Sequence, residues 1–143
     1  MLKYLGIVLL VLVASCAKNR DTALTEAPVA KKIEFHVHAS QLYTEPVYEA
    51  VTAEVKLAIY KINFHTGHSQ LLWEEVYNKR PLASYPHLPQ KFLVEKEYEV
   101  LESKEKLQAA YTIRYFTPDG PTSEIRAEEL VPGLHFAFLD VDV

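Results

Sequence analysis

The chain has one cysteine, one methionine, one tryptophan and only four glycines in 143 residues. A lone cysteine excludes an internal disulfide, so Cys16 must be unpaired, intermolecular or modified. Four glycines are too few for a phosphate-cradling loop, and neither a Gly-x-Ser-x-Gly elbow nor a His-Glu-x-x-His run occurs. The longest aliphatic run, Leu5 to Ala14, falls well short of the roughly 20 residues a spanning helix needs. Basic excess is also missing. Fifteen basic side chains face nineteen acidic ones, a formal net charge of −4, which gives no support to nucleic-acid binding.

What is present begins with an address. Lys3 supplies a basic start, Leu5 to Ala14 an apolar core, and Val13-Ala14-Ser15-Cys16 a small-residue exit, the pattern of a secretory signal peptide over residues 1–15. The last four residues resemble the bacterial lipoprotein box, in which an aliphatic and two small residues precede a lipidated cysteine. That resemblance implies diacylglyceryl transfer to the Cys16 thiol, cleavage after Ser15 and acylation, commonly palmitate, of the new amino terminus. Several acyl chains anchor firmly, because each buried methylene contributes about 0.8 kcal/mol. Ala17 follows the cysteine where an Asp would retain the protein at the inner membrane. In Gram-negative families this favours the cell outer membrane. The expected location is therefore the bacterial cell envelope, with the membrane itself a partner through the lipid.

Residues 16–32 then read as a lipidated cysteine and flexible tether. Lys18, Asn19, Arg20, Asp21, Thr22, Thr25, Glu26 and Pro28 leave too little apolar surface to offset the entropy of ordering. At Ile33 the pattern turns to period two and a single domain, 33–143, is expected. Ile33, Phe35, Val37 and Ala39 alternate with Glu34, His36, His38 and Ser40, as in a strand with one buried face. Val55, Leu57 and Ile59 do the same, His65-Thr66-Gly67-His68 reads as a hairpin turn, and Leu71, Trp73 and Tyr77 start the return strand. Pro81, Pro86 and Pro89 mark an irregular crossover. Phe92, Val94, Tyr98 and Val100 form a fourth strand, and Leu107 to Tyr115 a fifth that ends in Thr117-Pro118-Asp119-Gly120-Pro121. A short strand over 124–128 and a last one over 134–143 follow.

About seven short strands in one domain predict an antiparallel β-sandwich. A competing helix start lies at Thr44-Glu45-Pro46, with Pro46 at the first helical position and Val47, Val51, Val55 and Ile59 four apart; a short helix near 45–52 is its expected remnant. Leu130-Val131-Pro132-Gly133-Leu134-His135-Phe136-Ala137-Phe138 resembles the turn-and-strand signature of immunoglobulin-like, fibronectin-type and prealbumin-like domains, which implies an inward aromatic on the final strand. Phe136 stands where those families often carry Tyr, and no immunoglobulin disulfide is possible.

Chemistry-bearing residues are sparse. His36 and His38 leave one strand face about 6.6 Å apart, a spacing at which two imidazoles converge on a metal if a third ligand approaches. Glu34, His65 and His68 are the candidate third ligands, and solvated polar residues on a strand face are the bland alternative. The lone Cys and Met argue against a soft-metal copper carrier. Asp119 reads as a turn former, and Asp140 and Asp142 as acids keeping an edge soluble. Trp73, Tyr77, Tyr85 and Tyr98 offer either an aromatic platform for a sugar or protein or core filling. Tyr85 with His87, in the proline-rich crossover, is the contact site this reading selects. With no catalytic motif in view and no cofactor beyond the Cys16 lipid implied, the expectation is a non-enzymatic, lipid-anchored envelope module that binds a protein or glycan partner. A metal-binding protein using His36 and His38 comes second, and a hydrolase whose site is not visible in the sequence third.

Overall fold

The computed structural model describes residues 26–143. The signal sequence, the Val13-Ala14-Ser15-Cys16 box and most of the tether lie outside them. Seven strands follow in order: β1 (Val29–His38), β2 (Thr52–Asn63), β3 (Ser69–Pro81), β4 (Phe92–Val100), β5 (Glu105–Thr117), β6 (Gly120–Leu130) and β7 (Phe136–Asp142). They form two sheets, a three-stranded one in the order β4-β1-β7 and a four-stranded one in the order β3-β2-β5-β6. The domain is a β-sandwich. Among the described residues no helix is long and apolar enough to cross a membrane.

Alternation decides what lies between the sheets. Ile33, Phe35 and Val37 of β1 are fully buried against Val55, Leu57 and Ile59 of β2 and Leu107, Ala109 and Ile113 of β5, with Leu139 and Val141 of β7 closing the layer. Each of the Val, Leu, Ile and Phe side chains contributes about 1.5–3 kcal/mol by leaving water. Where β3 lies opposite β4 the core continues as half-buried aromatics. Tyr77 stacks on Phe92 with ring centres 5.5 Å apart, and Trp73 tilts against Phe35 at 6.0 Å. Lys96 and Arg80 cover this flank, Lys96 Nζ lying 4.7 Å from the Trp73 ring centre.

The turns follow the chemistry of their residues. Gly67 takes φ +71° between β2 and β3, where the Asn63 side-chain oxygen accepts from the His65 and Thr66 amides at 3.0 Å each. Gly120, at φ +124°, opens β6 after the Pro118-Asp119 corner. The helix start at Thr44-Glu45-Pro46 shrinks to one 3-10 turn, Pro46–Tyr48, because Val51 to Val55 carry β-branched residues that pair better in β2.

Five expectations need correction. β1 starts at Val29, four residues inside the expected tether, because Lys31 is held in the interior. The pairing is not wholly antiparallel, since β7 runs parallel to β1, with Lys32 opposite Phe136 and His38 opposite Asp142. The strand expected over 124–128 is the eleven-residue β6. Phe136 and Phe138 point outward, and Ala137, Leu139 and Val141 are the inward residues of β7, so the implied inward aromatic is absent. Tyr85 lies in the core.

Lys31 is the least expected of these. Its side chain is 0% exposed and its Nζ donates to the carbonyls of Val131 (2.9 Å) and Leu134 (2.7 Å) while pairing with Glu102 at 2.7 Å. Glu102 also accepts from the Gly133 amide at 2.8 Å. One cation thus ties β1 to the β4–β5 connection and to the Pro132-Gly133 turn. The Lys31 and Gly133 hydrogen bonds hold the Glu102 carboxyl below its ordinary value of 4.5. A carboxyl depressed on folding adds stability that is complete above its unfolded value and lost as pH falls through its folded value. Equilibrium unfolding between pH 6 and pH 2 should therefore show acid destabilisation that Glu102→Gln makes shallower.

Candidate functional site

The outer face of the small sheet carries the histidines. Register places Glu34 beside Glu95 and Phe138, His36 beside Leu93 and Asp140, and His38 beside Asp142. His36 and His38 do leave the same side of β1, but each is occupied by its own carboxylate. His36 Nε2 lies 3.3 Å from Glu34 Oε2, with its ring 5.1 Å from that of Phe138. His38 is buried, with Nε2 2.8 Å from Asp140 Oδ1 and Nδ1 3.9 Å from Asp142 Oδ1. Asp142 in turn accepts from the Ser40 amide at 2.8 Å. Lys32 bridges Glu34 and Glu95 at 2.7 and 2.9 Å, and these hydrogen bonds raise the lysine and, with His36, lower the Glu34 carboxyl.

His65 and His68 do not join them. His65 Nε2 meets the Ser103 carbonyl at 3.0 Å, and Ser103 also holds Glu26 ahead of β1, so this corner lies at the opposite end of β1 from His38. His68 lines a polar hollow of about 240 Å³ with Lys61, Asn63, Thr66, Gln70 and Glu105. Among the described residues no three His, Cys, Asp or Glu side chains converge on one point. Among the described residues His38 Nδ1 has no hydrogen-bond partner, and no serine hydroxyl there completes the His38–Asp140 pair as a nucleophile would.

The selected contact pair in the crossover separates in the structure. Tyr85 is 2% exposed, and its hydroxyl donates to the Ala53 carbonyl at 3.1 Å, while burial pushes its ionisation up to about 12. It anchors the crossover to β2 and offers no open ring face. His87 is half-buried, its Nδ1 3.3 Å from the Ala39 carbonyl. Tyr85→Phe should lower stability by about 1 kcal/mol, the worth of one such hydrogen bond, read as a shifted denaturation midpoint at constant slope. Trp73, Tyr77 and Tyr98 are likewise half-buried against the core.

An open flank went unnoticed in the sequence. The large sheet is one strand wider than the small one, and its outermost strand, β6, is exposed from Pro121 to Glu129. Pairing with buried Ile113, Tyr111 and Ala109 puts Glu124, Arg126 and Glu128 on the inner side of that sheet, yet no strand of the small sheet covers them. Beside this ledge runs β7, the edge strand of the small sheet. Between them lies a cleft of about 400 Å³ lined by Arg126, Ala127, Glu128, Phe138, Leu139 and Asp140. The polar residues Thr122, Glu124, Arg126 and Glu128 at every second position of β6 are the signal that was available, since that side of the strand offers nothing apolar to pack against a second sheet.

No protein-family model, curated protein or solved structure matches this chain.

Proposed function

We propose that this protein is a lipid-anchored bacterial envelope module that binds or assembles with a partner and carries no catalytic machinery. The single observation behind the binding half is the open β6/β7 flank. It joins an unpaired strand edge, two half-exposed phenylalanines and an uncovered inner sheet face in one place. An edge strand left open is a template for another chain, and proteins otherwise cover or blunt it. The anchor half rests on the Lys3, Leu5–Ala14 and Val13-Ala14-Ser15-Cys16 pattern, which supports cleavage after Ser15 and acylation of Cys16. Among the described residues no hydroxyl is hydrogen-bonded to the His38–Asp140 pair, which supports binding over hydrolysis.

The test is photo-crosslinking in native membranes from a reactive residue at position 138, with position 125 on the opposite face of the large sheet for comparison. Discrete adducts from 138 and not from 125 are expected. Adducts from neither position, together with a specific hydrolytic activity of the purified protein, would overturn the reading.

A further inference from the structure

The open flank lies where the small sheet is one strand narrower than the large one. Tyr77 stacked on Phe92 sets β4 opposite β3, the Phe35–Trp73 contact brings β1 over the β2–β3 half, and Leu139 and Val141 of β7 join Leu107, Ala109 and Ile113 of β5 in the core. Counting outward, β6 has no counterpart, and the vacant position is the one directly beside β7. Neighbouring strands lie about 4.8 Å apart, so one extended segment fills the step.

The main chain there is ready to pair. The His135 carbonyl accepts from the Lys32 amide at 2.8 Å, and the Val143 amide donates to the His38 carbonyl at 2.9 Å. Odd-numbered residues of β7 therefore turn their peptide groups toward β1. Phe136, Phe138, Asp140 and Asp142 turn theirs away, toward the vacancy. Among the described residues no strand pairs with this edge.

The side chains around the vacancy select its occupant. Glu124 and Glu128 face it from β6 on either side of Arg126, and Asp140 and Asp142 flank it on the outer side of β7. Carboxylates thus border both faces of an incoming strand. Phe136 and Phe138, about half exposed, border its other end. A second copy joined through its own antiparallel β7, with both large sheets on one side, does not fit: its β6 would take the place of β5 of the first copy, because each large sheet already overhangs by one strand.

We infer that the β6/β7 flank accepts an extended, basic peptide segment of a partner protein as a fourth strand of the small sheet. Main-chain hydrogen bonds to the outward peptide groups of Phe136, Phe138, Asp140 and Asp142 supply the adhesion. Lysine or arginine at alternate positions of the segment meets the four carboxylates, while the face beside Phe136 and Phe138 takes an apolar or aromatic residue. The inference rests on the binding-module reading and names its site and its partner's chemistry.

The probe is an eight-residue peptide alternating Lys and Val, with a Glu/Val peptide of equal length as its counterpart, titrated into the chain beginning at residue 16 with Cys16→Ser. Amide exchange is followed residue by residue. Expected are slower exchange at the Phe138 and Asp140 amides with the Lys peptide only, and affinity that weakens as salt rises. Phe138→Pro removes an outward amide that no ladder uses and should abolish this protection. If that variant unfolds, Glu128→Lys, which alters one exposed charge, should still weaken binding about fivefold.

Equal affinity for the Glu peptide would overturn the inference, as would protection confined to the hollow around Lys61 and His68. So would edge amides already protected without peptide, whether that protection depends on protein concentration (a second copy) or vanishes on deleting residues 17–25 (the chain's own tether). The two readings fail separately. Membrane crosslinks from position 125 in place of 138 would keep a binding module and remove the strand-addition site.

Discussion

Replacing Lys31 by Met should cost about 1–3 kcal/mol of folding stability, the range for leaving buried hydrogen-bonding groups unpaired. Methionine nearly preserves the volume, so cavity formation contributes little. What remains is the Glu102 carboxylate, held 2.7 Å from the former ammonium, and two carbonyls, of Val131 and Leu134, without their donor. Restoring balance should recover much of the loss, so the double variant Lys31→Met/Glu102→Gln is expected to be more stable than Lys31→Met alone. Urea denaturation at neutral pH measures all three differences. A loss under about 1 kcal/mol for Lys31→Met would mean that this lysine behaves as a solvated side chain and that the loops it joins are held by other contacts.

Phe35→Ala should be more damaging, by about 3–5 kcal/mol. Phe35 sits at the middle of the central strand of the small sheet, fully buried, with Val94 and Leu139 on the neighbouring strands and the Trp73 ring beneath it. Truncation removes the ring's transfer energy and leaves a cavity that two hydrogen-bonded sheets cannot collapse to fill. Ile125→Ala is the natural comparison. Ile125 is 74% exposed on the outer face of β6, and its truncation should shift stability by less than about 0.5 kcal/mol. Equal losses at the two positions would contradict the assignment of β1 to the core and of β6 to an uncovered ledge.

The contrast between these residues marks what the sequence carried and what it did not. Alternation at Ile33, Phe35 and Val37 and at Leu107, Ala109 and Ile113 is a local signal, and the structure buries each of these side chains as that signal requires. The His65–His68 turn and the Asp119-Gly120 corner were legible for the same reason, because their backbone demands are met by residues next to one another. Lys31 was not legible. Its acceptors lie about a hundred residues away on the β6–β7 turn, and a lysine among Ala30, Lys32 and Pro28 reads as tether. Tyr85 was misjudged in a similar way, since its loop looks exposed until Ala53 supplies the carbonyl for its hydroxyl. The parallel pairing of β7 with β1 and the one-strand overhang of β6 depend on how many strands each sheet holds, which no window of residues reports. The histidines fall between these cases. That His36 and His38 share a face follows from strand period, whereas their engagement by Glu34 and Asp140 follows from pairing.

The edge of β7 also bears on handling of the protein. It carries Asp140 and Asp142, and acids on an edge discourage indiscriminate pairing while leaving it open to a basic strand. Specificity at this flank would then come from repulsion of acidic segments as much as from attraction of basic ones.

The most direct measurement is the intact mass and detergent partitioning of the protein taken from its own membranes, beside Cys16→Ala. Expected are a chain starting at Cys16, heavier by its acyl chains and found in the detergent phase, and a mutant that moves to the aqueous phase. An unacylated wild-type chain in the aqueous phase would contradict the envelope anchor and leave a β-sandwich with an open flank and no membrane address.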